Sequence, residues 1–128
     1  MIKKIILGAT LALFAMTASA ASLTLINNEA TPIQVNCNNI VGLPLPAKQD
    51  GGKLSLPYFL IYAKFGSKDL QCTFTDGSKA TGSAHLIIGS YFTTAQIQSY
   101  NPKTGVTIAP LAALTAQTSD ITVTLDKL

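Results

Sequence analysis

The chain contains no arginine and no tryptophan, a single histidine and two cysteines, and only 12% of its 128 residues are charged. Each scarcity removes a class of function. All nine basic residues are lysines, so the bidentate guanidinium contacts that dominate phosphate and base recognition have no donor. One histidine and two cysteines are too few for a closed zinc site unless carboxylates join them. There is no glycine-rich phosphate loop either, because Gly51-Gly52 leads into a strand pattern and not a helix. The sequence therefore implies no cofactor and no metal. Low charge does not imply disorder here, since 48% of the residues are hydrophobic and can supply a core. The length suits one domain.

The first twenty residues have the three-part layout of an export signal. Lys3 and Lys4 precede an apolar run from Ile5 to Met16, and Ala18-Ser19-Ala20 offers the small-x-small pattern of a signal peptidase site. That apolar run falls well short of the ~20 residues a helix needs to cross a bilayer. No cysteine follows the cleavage site, which disfavours a lipid anchor. Residues 1–20 thus read as a cleaved signal peptide and 21–128 as a single β-domain beginning at Ala21, periplasmic or secreted, with no stable membrane insertion after cleavage. Loss of Lys3 and Lys4 lowers the net charge from +3 to +1, leaving seven lysines interleaved with six acids. A nucleic-acid partner is excluded, because it requires a concentrated basic surface.

Cys37 and Cys72 are the only cysteines. In an oxidising compartment such a pair forms a structural disulfide, whereas redox-active pairs usually sit two residues apart. Alternation places both on apolar strand faces: Ile33, Val35 and Cys37 in one segment, Leu70, Cys72 and Phe74 in the other. That placement predicts a bridge between two packed sheets.

Ser22–Ile26, Ile33–Cys37, Lys53–Leu56, Leu70–Thr75, Lys79–Ile88 and Ile121–Leu125 all read as short strands. Asp76-Gly77-Ser78 reads as a hairpin turn. The small residues Ala80, Gly82 and Ala84 suggest a bulge or the close approach of another backbone. Asn39–Gly52, with Pro44 and Pro46, reads as a loop. Tyr58–Phe65 follows Pro57 and is rich in aromatics, which favours a strand whose two faces carry Phe59, Ile61, Ala63 and Phe65, and Tyr58, Leu60, Tyr62 and Lys64. Tyr91–Tyr100 is ambiguous. Thr93 and Gln96 fit a capping box, but the Asn101–Gly105 turn favours a hairpin between Gln96–Tyr100 and Val106–Ile108. Pro110–Leu114 reads as a helical turn or a crossover. The whole predicts an all-β fold, a small antiparallel sandwich (Ig-like or Greek-key) or compact barrel of seven to nine short strands with one inter-sheet disulfide.

Nothing selects a catalytic group. His85 has Ser83 beside it, but no carboxylate close in sequence to orient it. The candidate interaction residues are the aromatic stripe Tyr58, Leu60 and Tyr62, and the apolar loop Leu43, Pro44 and Leu45. The layout is similar to that of many small exported bacterial β-domains, pilin-like subunits and periplasmic inhibitors among them. Pilins of the chaperone–usher type run longer and end near a tyrosine, whereas this chain ends Thr124-Leu125-Asp126-Lys127-Leu128. The leading expectation is an exported, non-catalytic sandwich that binds a protein or glycan partner. A pilin-like subunit assembling by strand addition is the alternative, with a small hydrolase using His85 behind it.

Overall fold

In the computed structural model, residues 21–77 and 79–128 are described, and the predicted signal peptide at 1–20 lies outside them. Nine strands form two sheets: β1 (Ser22–Asn27), β2 (Ile33–Cys37), β3 (Ile40–Leu45), β4 (Lys53–Pro57), β5 (Asp69–Asp76), β6 (Lys79–Ile88), β7 (Ala95–Asn101), β8 (Val106–Ala109) and β9 (Ile121–Leu125). The first sheet has the order β4-β1-β9-β8 and the second β3-β2-β5-β6-β7. The architecture is a sandwich and not a closed barrel. It departs from a purely antiparallel arrangement where β1 and β9 pair in parallel, with Leu25 opposite Val123.

Period-two alternation builds the core. β2 and β9 bury every second residue, Ile33, Val35 and Cys37 in one and Ile121, Val123 and Leu125 in the other. Leu70, Cys72 and Phe74 of β5 and Val106 and Ile108 of β8 do the same. The intervening threonines and glutamines face outward, as a sheet with one wet face requires.

Four expectations are corrected. The Asn39–Gly52 segment is not a loop throughout: it contains β3 and a 3-10 turn at Lys48–Asp50. Asn38 and Asn39 both adopt positive φ, 53° and 64°, the conformation of a tight two-residue hairpin turn. Pro44 is tolerated because β3 is an edge strand.

Tyr58–Phe65 is a helix, α1, and not a strand. Its buried residues Tyr58, Ile61 and Phe65 are spaced as one helical face. Pro57 begins it with φ −60°, and Gly66 ends it in the left-handed conformation at φ 71°, its amide donating to the Tyr62 carbonyl at 2.6 Å. A β-carbon at Gly66 would be strained there.

β7 and β8 do not form a hairpin. They lie in different sheets, so Asn101–Gly105 is a crossing between layers. Tyr91–Tyr100 is resolved in favour of strand from Ala95, and Leu111–Leu114 is a 3-10 turn.

The disulfide forms between the expected cysteines but joins neighbours within one sheet. Cys37 and Cys72 are directly opposed on β2 and β5, with Cα atoms 4.0 Å apart. The adjoining Asn38 amide bonds to the Gln71 carbonyl, which makes the cysteines a close, non-hydrogen-bonded pair. Alternation reveals which face a cysteine occupies; it does not reveal whether its partner lies across the core or alongside.

The small-residue face of β6 has the expected cause. A β-carbon on Gly82 would stand 2.7 Å from the Asn101 carbonyl oxygen, and Thr81 is the extra residue of a bulge opposite Phe74–Thr75.

Two short elements close the sandwich laterally. α1 packs against β3 and β4, and the Leu111–Leu114 turn packs against β7 and β8. At the base, Asn27 is fully buried, and both its amide hydrogens and its carbonyl oxygen have partners. Its Nδ2 donates to the Thr31 and Pro46 carbonyls at 2.9 and 3.1 Å, and its Oδ1 accepts the Glu29 amide at 2.8 Å.

Replacing both cysteines by alanine is expected to lower stability by about 3–4 kcal/mol in urea denaturation, through the released unfolded chain. Asn27→Ala is expected to cost about 2–4 kcal/mol in the same assay, because one buried amide and two carbonyls lose their partners together.

Candidate functional site

Eight residues make α1, and only one side of it is needed by the core. Tyr58, Ile61 and Phe65 turn inward, while Phe59, Leu60 and Tyr62 remain 39%, 44% and 39% exposed. The expected stripe of Tyr58, Leu60 and Tyr62 is therefore divided. Leu60 and Tyr62 are on the surface, and Tyr58 is wholly buried with its hydroxyl donating to the Ser119 carbonyl at 2.7 Å. The loop trio separates as well. Leu45 is fully buried, Leu43 is half-buried and lines an internal void, and Pro44 is exposed on the outer face of the sheet.

The outer face of α1 is extended by residues the sequence did not single out. Phe92 packs against Tyr62 with ring centroids 5.1 Å apart at an angle of 47°. Lys68 Nζ lies 4.9 Å from the Phe92 centroid and 5.9 Å from that of Tyr62, and it donates to the Ser90 carbonyl at 3.4 Å. A cation over two ring faces is attracted by their quadrupoles, which holds this corner in place. Tyr91, next in the same turn, is 86% exposed. On β3, which α1 packs against, Ile40 and Val41 are exposed as well. The result is an apolar and aromatic ridge with Lys64 and Lys68 as its charged members.

Two spaces adjoin the sandwich. Beneath α1, Leu23, Leu54, Leu56, Ile61, Phe65 and Leu86 are among the apolar side chains around a void of about 50 Å³. An apolar cavity needs about 150 Å³ to take a molecule the size of benzene, so this one is packing space. The second is an open groove of about 390 Å³ lined by residues that include Pro32, Gln34, Pro44, Thr75, Asp76 and Gly77. Gln34 Nε2 is buried there without a hydrogen-bond partner among the described residues. None of the described residues that line this groove is aromatic.

His85 does meet a carboxylate in space. Its Nε2 lies 2.6 Å from Asp69 Oδ1, an ion pair when the ring is protonated. Asp69 stands opposite Ile87 on the paired strand, diagonal to His85, and so invisible to local spacing. The Asp69 side chain is 67% exposed, and neither space described above borders the pair. Among the described residues no group of three or more histidine, cysteine or acidic side chains is placed to hold a metal ion.

No protein-family model matches the chain, no curated protein matches it, and no solved structure matches it.

Burial pushes the Tyr58 phenol well above its ordinary value, and the Asp120 carboxylate pushes it further. The unfolded chain releases that proton near pH ~10, while the folded chain retains it. Stability is therefore expected to fall as pH rises above about 10, and Tyr58→Phe is expected to flatten that part of the profile in urea denaturation.

Proposed function

We propose that this chain is an exported, non-catalytic β-sandwich that binds a protein partner through the ridge formed by α1 and the Tyr91–Phe92 turn. The observation that carries the proposal is the exposure of Phe59, Leu60, Tyr62 and Tyr91 around one corner of a small domain. Aromatic side chains lose little entropy on docking and bury large areas, so they are favoured at protein interfaces. A glycan would need convergent polar groups beside an aromatic platform. The groove at Gln34, Thr75 and Asp76 has no aromatic lining among the described residues, and the ridge offers lysines as its charged groups.

Assembly by strand addition is the less supported reading, because each edge of the two described sheets is blunted. β3 carries Pro44 and a bulge in which Val41 and Gly42 oppose Asn36. β4 carries outward Lys53 and ends in Pro57. β7 is covered where Ala95 exchanges backbone hydrogen bonds with Thr118 at 2.9 and 2.8 Å. β8 has four residues and is followed by Pro110. Bulges, prolines, charges and short length are the devices that prevent edge pairing. The position of β1, inside a sheet, also leaves no gap for a donated strand.

The test is site-specific photocrosslinking of the exported protein. A crosslinking side chain at position 60 is expected to capture one defined protein, and the same group at Thr107 on the outer face of β8 is not. Leu60→Asp is expected to weaken that binding at least about tenfold while leaving the unfolding midpoint within experimental error. Equal capture from positions 60 and 107, or none from either, overturns the proposal.

A further inference from the structure

The residue before β1 already belongs to the interior. Ala21 is buried in the core, and its carbonyl accepts the Tyr58 amide hydrogen at 3.3 Å. The next amide, of Ser22, donates to Asp120 Oδ1 at 3.0 Å across 98 residues of sequence. Tyr58 completes the cluster through its bond to the Ser119 carbonyl. The start of β1, the start of α1 and the lead-in to β9 thus meet at one point.

The α-nitrogen of Ala21 is three covalent bonds from the amide that Asp120 already holds. With the peptide bond to residue 20 intact, that nitrogen is an uncharged amide. Hydrolysis adds water across the bond, leaving a carboxylate on residue 20 and an amine on residue 21 that is protonated at neutral pH. We propose that Asp120 is the counter-ion of the processed N-terminus, so that removal of the leader creates a charge this cluster recognises and tightens the junction of β1, α1 and β9. The inference rests on the export reading above, in particular on cleavage after Ala20.

Of the described residues named at this junction, Asp120 alone carries a charge. α1 contributes Tyr58, whose phenol is neutral; the segment before β9 contributes the Asp120 carboxylate; and β4 presents uncharged Pro57 opposite Ser22. Asp120 is exposed, so the coupling has the size of a surface ion pair, about two- to fivefold in the unfolding equilibrium constant. It shrinks in high salt. Pairing raises the folded-state pKa of the amine above its unfolded value of about 7.7–8.0. The stabilisation is therefore complete below that value and is lost as pH rises through the folded-state value.

The experiment uses the chain beginning at Ala21, released from a cleavable fusion, with its amine either free or acetylated, in wild-type and Asp120→Asn backgrounds. The substitution keeps an acceptor for the Ser22 amide and removes the charge. In urea denaturation at about pH 6, acetylation of the wild-type chain is expected to cost about two- to fivefold, and acetylation of the Asp120→Asn variant nothing. The wild-type cost is expected to vanish at about pH 10, where the amine is neutral. No cost in the wild-type chain, or an equal cost in both backgrounds, overturns the clasp. N-terminal sequencing of the exported protein separately checks the cleavage: Ala21 as first residue supports it, and any other first residue overturns its use in the cell without altering the fusion result.

Discussion

The sandwich depends on β1 being held from both sides. Ser22–Asn27 lies between β4, which it pairs antiparallel, and β9, which it pairs in parallel. Without it, β4 loses the strand that ties it to the sheet, and α1, which follows β4 directly, loses its support. The far end of β1 is fixed by Asn27, whose buried amide ties the β1–β2 turn to the segment after β3. Buried polar groups this fully satisfied favour one arrangement over its competitors, because any shift in register strands several of them at once.

The same scaffold explains where the apolar surface falls. Two sheets packed face to face leave open sides, and this chain fills one with a helix of only about two turns. So short a helix has few inward positions, and a sequence as apolar as Tyr58–Phe65 must leave large side chains outside. Phe92 and Lys68 then pack on Tyr62 at that outer face. An apolar ridge made from a rigid helix needs little reorganisation on docking, which favours recognition of a preformed partner surface.

Strands are legible in the sequence wherever one face is wet. Ile33–Cys37, Leu70–Thr75 and Ile121–Leu125 alternate cleanly because water and core impose opposite demands on adjacent residues. Tyr58–Phe65 defeats pattern reading for the converse reason. Apolar at nearly every position, it hides the 58, 61, 65 spacing, and the bounding Pro57 and Gly66 are the better guide. β3 is obscured by Gly42 and Pro44, which an edge strand tolerates and an interior strand does not. Of the interaction candidates, Leu60 and Tyr62 stand out by aromatic and apolar content, whereas Phe59, Tyr91 and the Asp69–His85 pair need tertiary geometry. The cysteine faces can be read directly, but their neighbours cannot, because sheet order is a long-range property.

The parallel pairing of β1 with β9 joins the first described strand to the last. Contacts of such sequence separation form late, since the intervening chain must first be brought together. For a chain passing through a membrane in extended form, Ile121–Leu125 would be the last strand to arrive. The four-stranded sheet could not close until that strand had crossed, and until then Ser22–Asn27 would wait with one of its two edges open. In such a chain, closure of the first sheet reports that β9 has crossed.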